Sequence, residues 1–212
     1  MNIIRRPFRY ANYNLVFWII GINVVIFAAM ELLGYRFRIN VIAHMAMTPL
    51  IITELKWIWT FATYMFLHGN FTHLLFNMLG LFIFGTHVER QMGSKEFLLY
   101  YFITGTLAGV FSFCVYNFTD PRIPLVGASG ALFAVMLAYA LFFPNSVIYI
   151  WGILPLRAPI MVLGYTALEL IFSISGGRGN VAHLTHLAGF GVGWLYFIIR
   201  FGVNPLRRLL GR

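Results

Sequence analysis

Gly127-Ala128-Ser129-Gly130-Ala131-Leu132-Phe133-Ala134-Val135-Met136-Leu137-Ala138-Tyr139-Ala140-Leu141-Phe142-Phe143, stopped by Pro144, is the stretch on which the fold turns. It holds no charge, and its proline sets the end of a helix predicted from Ser129 to Phe143. Fifteen residues make about 22 Å of helix at roughly 1.5 Å per residue. The hydrocarbon core of a bilayer is about 30 Å thick. With Pro144 at the inner interface, Ser129 therefore begins its helix below the outer one. Ile123 to Ala128 must then descend as non-helical backbone, which a membrane permits only inside protein or beside a water-filled cavity.

The rest of the chain fits that environment. Of 212 residues, 60% are hydrophobic and 10% charged, against about 25% charged in soluble domains. The mean hydropathy is +0.82. A soluble domain could not solvate such a surface, so the composition implies an integral membrane protein. The formal charge of +9 does not point to nucleic acid. Lys and Arg lie in short connectors and at the two ends, where they meet anionic headgroups. The single cysteine, Cys114, excludes an intramolecular disulfide. The first apolar run has no small-residue cleavage site before it and reads as a start-transfer helix, not a removed signal.

Outward from the central stretch, five more apolar runs are expected as helices: 15–33, 71–86, 97–115, 159–173 and 181–201. The third of these carries Gly105 and Gly109 as a small-residue face for close packing. His87, Glu89 and Arg90 are expected to close the second. Residues 34–57 form a long broken connector, expected as a partly embedded interfacial segment with Trp57 and Trp59 as anchors. Asp120, Pro121 and Arg122 mark a turn, and Gly176-Gly177-Arg178-Gly179 a flexible one. The expected class is an all-α polytopic membrane protein built as a six-transmembrane-helix bundle. Residues 1–13 would be a basic interfacial segment, 14–202 the six-helix domain and 203–212 a basic tail. With both termini in the cytoplasm, Arg5, Arg6, Arg9, Arg90, Lys95, Arg157, Arg200, Arg207, Arg208 and Arg212 face inward, against Arg36, Arg38, Lys56, Arg122 and Arg178 outward. That bias favours N-in, C-in. It also puts Ser129, His73 and His186 near the outward ends of their helices.

The polar residues of the apolar runs that could carry chemistry fall in three groups. Ser129 lies between Gly127 and Gly130, where glycine permits an unusual turn and N–H groups at a helix start can stabilise an anion. The bland alternative is a packing motif, since Gly130, Ala134 and Ala138 form a small-residue stripe. His186 is followed by Gly189 and Gly193 on one helix face, a smooth stripe that lets two backbones approach as closely as a base and its nucleophile require. His183 shares that face, and either histidine could be the base. His186 lies about 7–8 Å into its helix at roughly 1.5 Å per residue, a depth matching that of Ser129. His73 and Asn77, at i and i+4, could aim donors at a common point, as an oxyanion needs, or tie helices together. A metal site from His68, His73, His183 and His186 is the weaker alternative, because no His-Glu-x-x-His run exists. A channel or transporter is weak too, because no ring of charges is present. Glu169 looks the most buried acid. It lies in another helix, has no assignable role, and is not expected to complete a triad.

Together the three groups resemble the rhomboid family of intramembrane serine proteases. Gly127, Ala128, Ser129 and Gly130 match its Gly-x-Ser-Gly motif, and His186, Gly189 and Gly193 its His-x-x-Gly-x-x-x-Gly motif. His73 and Asn77 match its helix 2 pattern. The resemblance implies Ser129 as nucleophile, His186 as base, and an oxyanion hole from His73, Asn77 and the backbone of Ser129. It also implies a cavity shaped by His68, with His183 as a neighbour of the base and Glu89 as a structural glutamate. Two positions depart: the family's Trp-Arg pair reads Trp59-Thr60, and a tyrosine four residues after the nucleophile is Phe133. A phenyl ring can still stack on the histidine and steady its tautomer by packing. The expected activity is cleavage of single-span membrane proteins near the outer face through an acyl-enzyme, with no cofactor, metal or nucleic acid. The oligomeric state is not encoded legibly. The expected location is the cell (inner) membrane. The alternative is a catalytically inactive relative that binds or escorts membrane proteins.

Overall fold

The computed structural model describes residues 8–150, 152–174 and 180–209. The glycine turn at 176–179 and parts of both basic ends lie outside the described residues. Among the described residues, four helices are long and apolar enough to cross a membrane: Leu15–Leu32 (α1), Phe71–Met92 (α5), Ser94–Thr119 (α6) and Ala182–Phe201. The last is the greater part of α9, which begins at Asn180. Ser129–Phe142 (α7) and Ala158–Ile174 (α8) are apolar but shorter. The chain is thus an all-α polytopic membrane protein, apart from one small antiparallel hairpin, Val147–Ile150 (β1) with Leu154–Arg157 (β2).

Helix α7 is the axis of the molecule. Every residue from Gly130 to Leu141 except Phe133 is buried, so it shows no amphipathic stripe, as expected of a helix packed on all sides. Two features of sequence let α9 lie directly on it. A β-carbon at Gly189 would come within 1.9 Å of the Gly130 carbonyl oxygen, and one at Gly193 within 3.0 Å of Ala134 Cβ. The side chain of Tyr100 on α6 donates to the Ala134 carbonyl at 2.6 Å, and Ser112 and Thr185 join α6 to α9 at 2.6 Å. Gly105 and Gly109 of α6 meet Met65 and Tyr64, whose hydroxyl donates to the Gly105 carbonyl at 2.8 Å. At the C-terminal end of α9, Arg200 and Tyr196 donate to Glu96 of α6 at 2.5–2.8 Å.

The segment entering α7 is non-helical, and its backbone is satisfied by protein. Met47 and Leu125 exchange two backbone hydrogen bonds of 3.1 and 2.8 Å, and Gly127 N–H donates to the Tyr64 carbonyl at 3.0 Å. The connector at 34–57 is more ordered than a broken interfacial segment, with helices Tyr35–Met45 (α2) and Pro49–Leu55 (α3). A single turn, Thr60–Thr63 (α4), follows. Trp59 Nε1 donates to the His44 carbonyl at 2.9 Å and Thr63 Oγ1 to that of Met45 at 2.8 Å, fastening the connector. Thr60, in place of an arginine, is fully buried and donates to the Trp57 carbonyl at 2.7 Å.

Helix α5 does not close at Thr86. It runs through a π-helical stretch, Leu81–Gly85, to Met92, and stops at Gly93 with φ +84°. Glu89 explains the extension. It is 2% exposed and accepts the N–H groups of Leu15 and Val16 at 2.6 and 2.9 Å, and the Ser94 hydroxyl. A carboxylate there satisfies the orphan donors at the start of α1 and complements its dipole. Glu89→Ala should therefore cost about 2–3 kcal/mol, because the buried N–H groups lose a charged acceptor. The measurement is a lowered thermal midpoint in detergent; an unchanged midpoint would show that Glu89 does not anchor α1.

Helix α8 is held differently at its two ends. Its buried residues are Ala158, Pro159, Met161 and Val162, and none from Leu163 to Ile174 is buried. Large side chains such as Ile160, Leu168 and Ile171 are half exposed, acceptable only where the surroundings are apolar.

Candidate active site

Ser129 is the first residue of α7, so its N–H lies outside the intrahelical ladder. Its Oγ lies 2.7 Å from His186 Nε2, within the hydrogen-bond reach that a nucleophile and a base would need. The glycine stripe of α9 is what makes that distance attainable, since His186 sits one turn before Gly189. The His186 ring lies flat on Phe133, with centroids 4.5 Å apart and planes 7° from parallel.

His73 lies across Gly127 from the serine. A β-carbon on Gly127 would fall 2.7 Å from the His73 ring and 3.7 Å from Ser129 Oγ. Gly127 also has φ +124°, a conformation that side-chain-bearing residues rarely adopt. Only glycine lets the imidazole approach the backbone entering α7. His73 is placed by its helix start, where Asn70 accepts the His73 N–H at 2.8 Å as N-cap. Asn77 is 4% exposed and donates one amide hydrogen to the His73 carbonyl at 2.8 Å, leaving its second. His68 is 1% exposed and packs edge-on to His73 at 5.0 Å. Burial, and then the neighbouring His73, push His68 down to about 3, so it stays neutral at ordinary pH.

One residue that the sequence singles out without a role belongs to the site. Glu169, on α8, has its side chain 13% exposed and its Oε2 2.6 Å from His183 Nδ1. The same oxygen is 3.1 Å from His186 Nδ1. That second contact is within ion-pair range but off the axis of a hydrogen bond, and His186 Nδ1 has no other partner among the described residues. Glu169, expected to have no assignable role and not to complete a triad, lies beside the histidine in the structure. Helical spacing relates residues within one helix, whereas Glu169 reaches His186 across two. The signal available was the cost of an acid in a membrane helix, which implies a partner.

The metal alternative changes accordingly. Among the described residues, His68 and His73 do not join His183 and His186 in one donor cluster. Glu169, His183 and His186 do, with ligand atoms all within 4.8 Å of one another. Two imidazoles and a carboxylate suit a transition metal such as zinc, but the same contacts are what a carboxylate shared by two imidazoles requires.

A family model described as Rhomboid domain matches residues 56–203. The chain is 32% identical over 149 residues to RHOMBOID-like protein 12, mitochondrial, of Arabidopsis thaliana, covering 63% of this chain and 44% of that protein. It is 32% identical over 150 residues to the Rhomboid protease AarA of Providencia stuartii, covering 59% and 51%. With Rhomboid-like protein 11, chloroplastic, of A. thaliana it shares 30% over 203 residues, covering 89% and 65%. The chain spans less than two thirds of the length of these relatives.

Proposed function

The chain belongs to the rhomboid family, and on that premise we propose that it is an intramembrane serine endopeptidase whose six helices, α1 and α5 to α9, all span the bilayer. The observation that carries the reading is the 2.7 Å contact between Ser129 Oγ and His186 Nε2. Both termini face the cytoplasm of a cell (inner) membrane, so the site opens toward the outer face; the distribution of Arg and Lys supports this.

Ser129 Oγ attacks the scissile carbonyl while His186 Nε2 takes its proton. The developing oxyanion lies among the Ser129 N–H, His73 and the free Asn77 amide hydrogen. Each such donor is worth about 2.7–4 kcal/mol of transition-state stabilisation. His186 then gives its proton to the leaving amine, and water resolves the acyl-enzyme. Gly127, Ala128 and Gly130 leave a cramped pocket, which favours a small residue before the scissile bond.

Substrates are single-span proteins in the lipid bilayer. Entry is lateral, past the half of α8 that buries no residue. An intact substrate helix hides its carbonyls in i→i−4 hydrogen bonds, so cleavage requires local unwinding near the outer end of the span. Reconstituted protein should cut a single-span substrate carrying Gly or Pro beside the scissile bond at least about tenfold faster than one carrying Ala and Leu there, given propensity differences of about 1–3 kcal/mol per residue. Equal rates would show that unwinding does not limit the reaction.

A further inference from the structure

We propose that Glu169 is a positioning residue for the Ser129–His186 pair, its carboxylate holding the His186 ring in the tautomer that can act as a base. The inference rests on the reading of Ser129 and His186 as nucleophile and base.

Three observations converge on it. First, Ser129 Oγ lies 2.7 Å from His186 Nε2, and a serine can donate there only if Nε2 carries no hydrogen. The hydrogen of the neutral ring then sits on Nδ1, and it needs an acceptor. Second, Glu169 Oε2, at 3.1 Å, is the acceptor that the described residues bring to that nitrogen. Phe133 stacks on the ring; a phenyl face fixes the plane of an imidazole but accepts nothing from its edge. Third, the carboxylate is itself held. His183 Nδ1 donates to the same oxygen at 2.6 Å, and the His183 ring rests against Phe172 at 5.4 Å. The i, i+3 pair His183 and His186 therefore presents two imidazole edges to one acid.

The proton accounting is simple. The Ser129 hydroxyl proton moves to Nε2 as the bond from Oγ to the carbonyl carbon forms. The Nδ1 hydrogen stays on Nδ1, and the imidazolium so made faces a carboxylate in place of lipid. The proton on Nε2 then leaves with the amine. Glu169 neither gains nor loses a proton. The off-axis geometry of the resting contact is of the kind that tightens once the reaction begins. Because Glu169 belongs to α8, the helix with no buried residue beyond Val162, displacing that helix withdraws the carboxylate from the base. The position of α8 and the competence of His186 are thus coupled.

The test uses the full chain in detergent with ¹⁵N-labelled histidine, above the pH range in which imidazole is protonated. His186, assigned by loss of its signal in His186→Ala, should be an Nδ1–H tautomer in the wild-type protein. Glu169→Gln should move it toward Nε2–H and lower kcat about 10- to 100-fold, with KM within about twofold. A packing role would not move the tautomer. An Nε2–H ring in the wild-type protein overturns the inference and needs no variant. So does a folded Glu169→Gln protein with the wild-type kcat. Ser129→Ala in the same assay separates the two ideas. If it is inactive, a failed Glu169 result leaves the dyad standing; if it cleaves like wild type, the reading of the site has itself failed.

Discussion

Ser129→Ala will lower the rate of substrate cleavage in proteoliposomes by at least about 10⁴-fold, because removing a serine nucleophile eliminates the covalent path entirely. The fold should not respond. Ser129 is half-buried, its hydroxyl contacts His186, and α7 is held by the carbonyl and side-chain contacts of its neighbours. A methyl group there loses one hydrogen bond, worth about 0.5–1.5 kcal/mol. Activity and thermal midpoint should therefore separate: the first lost, the second within a few degrees of wild type. A variant that cleaves at the wild-type rate would remove Ser129 from the mechanism.

Gly189→Ala is expected to produce the next largest loss, through a different cause. The added β-carbon would lie 1.9 Å from the Gly130 carbonyl oxygen and 2.7 Å from its carbonyl carbon. Those are backbone atoms, so no side chain can rotate away. Helices α7 and α9 must separate, and overpacking of that kind costs about 1–3 kcal/mol. The effect on chemistry is larger than the effect on stability. His186 is three residues before Gly189, so any separation lengthens the 2.7 Å contact to Ser129. A displacement of about 1 Å at reacting groups can cost about 10²-fold. Cleavage should fall about 100-fold with a modest drop in thermal midpoint. Gly191→Ala is the control, since a β-carbon at Gly191 meets nothing within 4 Å. If both variants behave alike, close approach of α7 and α9 is not what sets the site.

The residues that reveal this architecture in the sequence are those that punctuate it. Pro144 and the glycines around Ser129 mark the ends of α7, and the observed Ser129–Phe142 helix differs by one residue from the expected one. His186, Gly189 and Gly193 lie on one face because helical geometry requires it, and that face meets α7. What spacing along the chain does not encode is the angle at which one helix turns toward another. Glu169 was visible as a costly acid, but its meeting with His183 and His186 depends on how α8 is rotated against α9. The end of α5 escaped for a similar reason. In sequence Glu89 reads as a polar stop, yet it faces inward because Leu15 and Val16, more than seventy residues earlier, offer it their N–H groups. The two helices of the first connector were hidden by its charges, which local pattern could not distinguish from a broken interfacial segment.

The proposed chemistry has one most direct measurement: reaction of the folded, detergent-solubilised protein with a serine-directed fluorophosphonate, with the modified peptide mapped by mass spectrometry. A serine activated by His186 should be labelled at Ser129 in the wild-type protein, and labelling should vanish in Ser129→Ala and fall sharply in His186→Ala. Absence of labelling at Ser129 in folded wild-type protein, or equal labelling in all three, would contradict an activated nucleophile and leave a protein that binds membrane segments without cutting them.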